Sequence, residues 1–154
     1  MEKRLQVGRG REDCGFVQGK MDGDQVGELA HRALQVGRLL MQNGAETEAV
    51  EGAVVRFAEG FGGEVHVLVT YESLLVTVVA GKEFRTKVGY RLPALAVNVA
   101  VLDQLDHLVA EAAAGRLELE EVGRRLDGLE HRPPEFGRWA VVVAIGVTAG
   151  SLAR

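Results

Sequence analysis

"EVHVLVTYESLLVTVVAGKEFRTKVGYR", residues 64–91, is where the chain changes its period. Val65, Val67 and Val69 alternate with His66, Leu68 and Thr70, the period of two that marks an extended strand. "SLLVTVVA" (73–80) is apolar on both faces, which suits a central strand. "EFRTKVGYR" (83–91) sets Phe84, Thr86, Val88 and Tyr90 against Glu83, Arg85, Lys87 and Arg91, a strand whose charged face is expected in water. Gly81-Lys82 makes a short hairpin turn between the last two strands. The stretch predicts a three-stranded antiparallel meander with one apolar face, which helices must cover.

Helices flank it on both sides. In "DQVGELAHRALQVGRLLMQNG" the residues Val26, Leu29, Ala30, Ala33, Leu34, Leu40 and Met41 recur on one helical face. Asp24 is placed to cap its start, and Asn43-Gly44 supplies a left-handed stop. A second helix follows at once, with Thr47 as the expected cap and Val50, Val54, Phe57 and Phe61 as its buried stripe. The intervening "NGAET" is short enough to force a tight helical hairpin. Beyond the strands, "PALAVNVAVLDQLDHLVAEAAAG" opens on Pro93 and stops at Gly115. Its first half is apolar nearly all round, so it is expected to be the central helix. "LEEVGRRLDGLEHR" adds an amphipathic helix through Val122, Leu126 and Leu129, closed by Pro133-Pro134. The fold class is therefore α+β: helical hairpin, meander, two further helices. Residues 1–24 mix glycine with charge and read as a disordered tail. Met21 is a plausible alternative start. The folded domain is expected over residues 25–134.

The 154 residues suffice for one domain, and a net charge of −4 without any basic stripe argues against a nucleic-acid partner. A single cysteine, Cys14, excludes an internal disulfide. There is no phosphate loop, no dinucleotide fingerprint and no HExxH. The serines, Ser73 and Ser151, lie in no nucleophile motif, and His31, His66, His107 and His131 are scattered one per element. No catalytic residue, metal site or cofactor is predicted, and nothing argues for an enzyme.

"LLMQNGAETEAVE" is more specific. Leu39, Leu40, Gly44, Ala45, Glu46, Thr47, Val50 and Glu51 resemble the first hairpin of the threonine/serine exporter family's N-terminal domain, a GAE[TS]-x-x-VE pattern after a leucine pair. Ala49 stands where the family usually has arginine, and "TYES" (70–73) where many members have a proline-threonine-glycine turn. The likeness resumes through the arginine-rich strand, Asn98, the small-residue helix end before "GRL", and the last helix ahead of a tryptophan. It implies efflux of threonine, serine or related small hydrophilic metabolites, a location in the inner membrane with this domain on the cytoplasmic side, and a membrane domain as partner. Ligand-binding or gating roles fall on Glu46, Glu51 and Asn98. Beside them stand plainer readings: Glu46 favours a helix N-terminus, Glu51 is a solvated helix residue, and Asn98 ties an apolar helix to a neighbouring loop. For Arg85, Lys87 and Arg91 a solvated face is the default, and contact with a membrane surface or the membrane domain the alternative.

The ending "RWAVVVAIGVTAGSLAR" has no charge between Trp139 and Ala153. It is shorter than the roughly 20 residues of a bilayer span and lacks a helix stop. Residues 135–154 are expected to begin a first transmembrane helix, which would make the chain a fragment that cannot transport alone. A buried C-terminal core helix is the alternative. A free-standing soluble α+β binding module or weak enzyme is the competing function.

Overall fold

The computed structural model describes residues 21–70, 72–90 and 97–130. Its element order is α1 (Gly23–Gln42), α2 (Thr47–Gly60), β1 (Glu64–Val69), β2 (Ser73–Ala80), β3 (Glu83–Tyr90), α3 (Val99–Ala113) and α4 (Leu119–Glu130). The expectations for Cys14, Arg91, Pro93, Pro133-Pro134, Trp139 and the apolar ending lie outside the described residues. The fold is α+β, with the elements in the predicted order. No described helix is long and apolar enough to cross a membrane.

The sheet order is β1-β2-β3, antiparallel throughout. Gly81, at φ 63°, takes the left-handed conformation that a two-residue hairpin turn needs. On the inner face Leu74, Val76 and Val78 of β2 are fully buried, flanked by the half-buried Val65, Val67 and Val69 of β1. α1 lies across β2 and β3, α2 covers β1 and packs on α1, and α3 and α4 form an outer layer on α2 and α1. The core fills the space between, around Phe57, Leu29, Leu74, Leu105 and Leu126.

The middle layer is therefore α1 with α2, not the third helix as the sequence suggested. α3 starts only at Val99, and its buried residues Val101, Leu105, Leu108, Val109 and Ala112 form one stripe. Val97 and Val99 are exposed. α1, by contrast, meets the sheet on one side and α4 on the other, and ten of its residues are buried.

Two caps also differ from expectation. α1 is capped by Asp22 rather than Asp24. The Asp22 carboxylate accepts from the backbone N–H groups of Asp24 (3.1 Å) and Gln25 (2.9 Å), and the Gln25 side chain accepts from Asp22 N–H (3.1 Å). This reciprocal box, aspartate with glutamine three residues on, outcompetes a single aspartate inside the first turn. α2 starts from Glu46 rather than Thr47, without any side-chain cap bond. The preceding turn dictates this. Gly44, at φ 87°, ends α1 with Gly44 N–H bonded to Met41 O and Ala45 N–H to Leu40 O, a Schellman stop that puts Glu46 immediately at the next helix's entrance.

β3 departs most. Its charged residues are on the inner side, because Glu83, Arg85, Lys87 and Gly89 pair with Ala80, Val78, Val76 and Leu74. A Cβ on Gly23 or Gly27 would meet the Arg85 side chain, and one on Gly89 would meet the stem of Arg38. The aliphatic stems of these arginines cover the inner side of β3, while the Arg38 head pairs with Glu130 and the Arg85 head with Glu83 and the Phe84 carbonyl. Phe84, Thr86, Val88 and Tyr90 consequently face outward, where no described element covers them.

Candidate functional site

The candidate site is built at one end of the domain, where the α1–α2 turn meets the start of α3. A Cβ on Gly44 would lie 3.1 Å from Val97 Cγ2, so the turn and the residue before Asn98 are in contact. Asn98 does not interrupt a helix. It is the N-cap of α3, and its side-chain oxygen accepts from Val101 N–H at 3.3 Å. That bond satisfies one of the free donors at the helix start. Glu46 is exposed at the entrance of α2, where its charge complements the helix dipole.

Between α2 and α3 runs an open groove of about 970 Å³, and Glu51 lines it whereas Glu46 does not. The apolar floor includes Leu40, Ala53, Leu102 and Val109. The α2 wall is low, since Ala49 and Gly52 present almost no side chain, and neither does Ala45 in the turn before it. A Cβ on Gly52 would touch nothing within 4 Å. Polar groups sit on the rim: Glu48, Glu51, Asp106 and Arg56, of which Arg56 and Asp106 pair across the groove at 3.6 Å. Glu48, Arg56 and Asp106 were not singled out from sequence. The hairpin motif pointed at Glu48 only by proximity, and nothing in a linear reading pairs Arg56 with a residue on a later helix.

The groove thus offers an apolar trough with an acidic rim. It holds no nucleophile aligned with a base. Among the described residues no group of three or more His, Cys, Asp or Glu is placed to hold a metal. His31, His66 and His107 stand on separate elements. A second, smaller cavity of about 480 Å³ between α3 and α4 is lined by His107, Glu111 and Arg125 among others. Arg125 bonds Glu111 at 2.7 Å and Glu121 at 2.9 Å, tying the two outer helices together. The hydrogen bond from Arg125 holds the Glu121 carboxyl below the usual carboxylate range, against partial desolvation and with help from the charge of Arg124. The same bonds raise Arg125 above its ordinary value.

The helices thus cover one side of the meander in two layers, and the candidate site is an open groove rather than a closed pocket. A family model described as "Putative threonine/serine exporter" matches residues 31–154. The chain belongs to the threonine/serine exporter family, a family of transporters rather than enzymes, and amino acids such as threonine and serine are its substrate class. No curated protein and no solved structure gives a significant match.

Proposed function

We propose that residues 25–134 are the cytoplasmic domain of an exporter of threonine, serine or related small metabolites, and that residues 135–154 open its first helix in the inner membrane. The observation that carries this is the span of the family match. It starts inside α1, passes through α4 and continues across the uncharged run after Trp139. Arg132 and Arg138 precede that run, as the positive-inside rule asks of a cytoplasmic flank. Translocation itself belongs to membrane helices of the same or a neighbouring chain, because a polar solute crosses hydrocarbon only through a closed helical or barrel path.

Geometry supports an engagement of the membrane part by the groove end. Along α1, Arg32 meets Asp127 and Arg38 meets Glu130, so α4 runs parallel to α1. The chain leaves α4 at the end that carries the α1–α2 turn, Glu46 and Asn98. A molecule as small as threonine would leave most of a 970 Å³ groove empty, which favours a helix over a free amino acid as its occupant. The acidic rim suits the basic flank of a membrane helix.

The test is export. Cells loaded with a threonine- or serine-containing dipeptide should accumulate less free amino acid when they make the protein with its membrane helices. Glu51→Gln and Gly52→Leu should slow export while leaving the domain folded by circular dichroism. Unchanged export in both variants would remove the groove from the proposal. Turnover of a substrate by the purified chain without membrane helices, or tight threonine binding abolished by Gly52→Leu, would favour the soluble binding module or enzyme instead.

A further inference from the structure

The outer face of the sheet is apolar, and none of the described elements covers it. Register places Leu68, Leu75 and Val88 in one row across the three strands, Val79 beside Phe84 in another, and Tyr90 at the end of β3. Leu68 is 59% exposed, Phe84 64% and Tyr90 75%. Large side chains rarely stand together in water on a folded domain without a partner. We infer that this face binds the same face of a second copy, making a two-fold sandwich of two sheets with the helices outside.

Three observations select that occupant. The first is charge. Outward positions on β1, β2 and β3 include no lysine or arginine; Arg85 and Lys87 are on the helix side, and the only formal anion is Glu64 at the edge. A headgroup surface would find no cations there, whereas a neutral face meets its own copy without repulsion. The second is polar satisfaction. The central row is His66, Thr77 and Thr86, and the two threonine hydroxyls bond each other at 2.9 Å. That bond uses one of the two hydroxyl donors, so drying the middle of the face leaves one donor to be met across the interface. His66, Glu64 and the Tyr90 hydroxyl lie towards the rim, where water still reaches an interface.

Area is the third. Eight residues at ~3.3 Å and three strands at ~4.8 Å give a footprint of about 26 by about 14 Å. Two such faces together cover roughly 730 Å², below the ~1,200 Å² of a stable specific interface and in the range of transient ones. The association is accordingly weak, in the micromolar range. It does not depend on the exporter reading.

Cross-linking in cells tests it on the full chain, with Cys14→Ser as background. Thr77 is at the centre of the face, close to any two-fold axis, so Thr77→Cys should be joined to its copy by a short bis-maleimide. Facing sheets are ~10 Å apart, which is why a linker is used rather than a direct disulfide. Lys87→Cys, more exposed but on the other side, should give no covalent dimer. Adding Val88→Lys to Thr77→Cys should reduce cross-linking at least tenfold, while Val88→Thr should preserve most of it. Cross-linking that survives Val88→Lys, or that is equal for the Thr77 and Lys87 cysteines, would overturn the proposal. So would an absence of Thr77→Cys dimers in cells.

Discussion

Gln35 Nε2 donates to Asp127 Oδ1 at 2.9 Å, joining α1 to α4 through a glutamine that is 7% exposed. The same amide reaches Glu130 at 3.1 Å, and its oxygen accepts from Arg32 at 3.0 Å. A polar residue in the buried stripe of α1 is tolerable only because all these bonds are made. Gln35→Met keeps the volume and removes them, and should lower stability by about 1.5–3 kcal/mol, as expected for bonds to charged groups. Chemical denaturation would show it. A change within error would mean that α4 is held by Val122, Leu126 and the arginine ion pairs without help from Gln35.

Two glycines of α2 should respond with opposite signs. A Cβ on Gly60 would run into the backbone of α3 at the Ala112 carbonyl, with Ala113 Cα at 2.7 Å. Backbone cannot step aside as a side chain can, so Gly60→Ala should cost about 1–3 kcal/mol. Gly52 faces open space, and Gly52→Ala should stabilise by about 0.5–1 kcal/mol through helix propensity. Thermal melts of the two variants shifting in the same direction would contradict the placement of α3 on α2.

Element order, the meander and the hairpin turn were legible because each rests on a local pattern: period two from Val65 to Tyr90, period 3.6 in α1, and glycine at left-handed turns such as Gly44 and Gly81. What the pattern could not reveal was which side of β3 the helices occupy. Alternation separates Phe84, Val88 and Tyr90 from Arg85 and Lys87 equally well in either case. The rule that apolar residues go inside fails here because arginine stems do the covering. The groove was half legible. Glu51 came from a motif on one helix, but Arg56 and Asp106 meet only through the packing of α2 on α3.

Gly44 separates backbone strain from side-chain chemistry. At φ 87° with Val97 close by, it should accept asparagine far better than valine. Asparagine visits the left-handed region, whereas a β-branched residue there is an outlier. Gly44→Val should cost about 1–2 kcal/mol or more, read as a difference in melting temperature between the two variants. Equal temperatures would argue against a strained turn.

Asn98 should behave as a cap and not as a ligand. Asn98→Ala loses the bond to Val101 N–H and should cost about 1 kcal/mol. Asn98→Asp should retain the bond and add a favourable charge at a helix start that has no acidic residue in its first turn. Export that fails in Asn98→Asp, with stability intact, would instead give the carboxamide a functional role.

Glu121 supplies the pH dependence. Its carboxyl is held below the ordinary range chiefly by the hydrogen bond from Arg125. A depressed carboxyl contributes stability that is present above its unfolded pKa, ~4.3 for glutamate, and that is lost as pH falls through the lower folded value. Carbon-detected NMR titration should therefore find Glu121 titrating below the ordinary glutamate value. Arg125→Gln should move it back towards that value. At neutral pH the same variant should also loosen α4 from α3, since Arg125 bridges Glu121 and Glu111. That difference from wild type should shrink on acidification as the Glu121 contribution disappears. The pair is exposed, so the effect on global stability is small, and the titration midpoint is the decisive measurement. A Glu121 midpoint unmoved by Arg125→Gln would show that the bond from Arg125 does not set it.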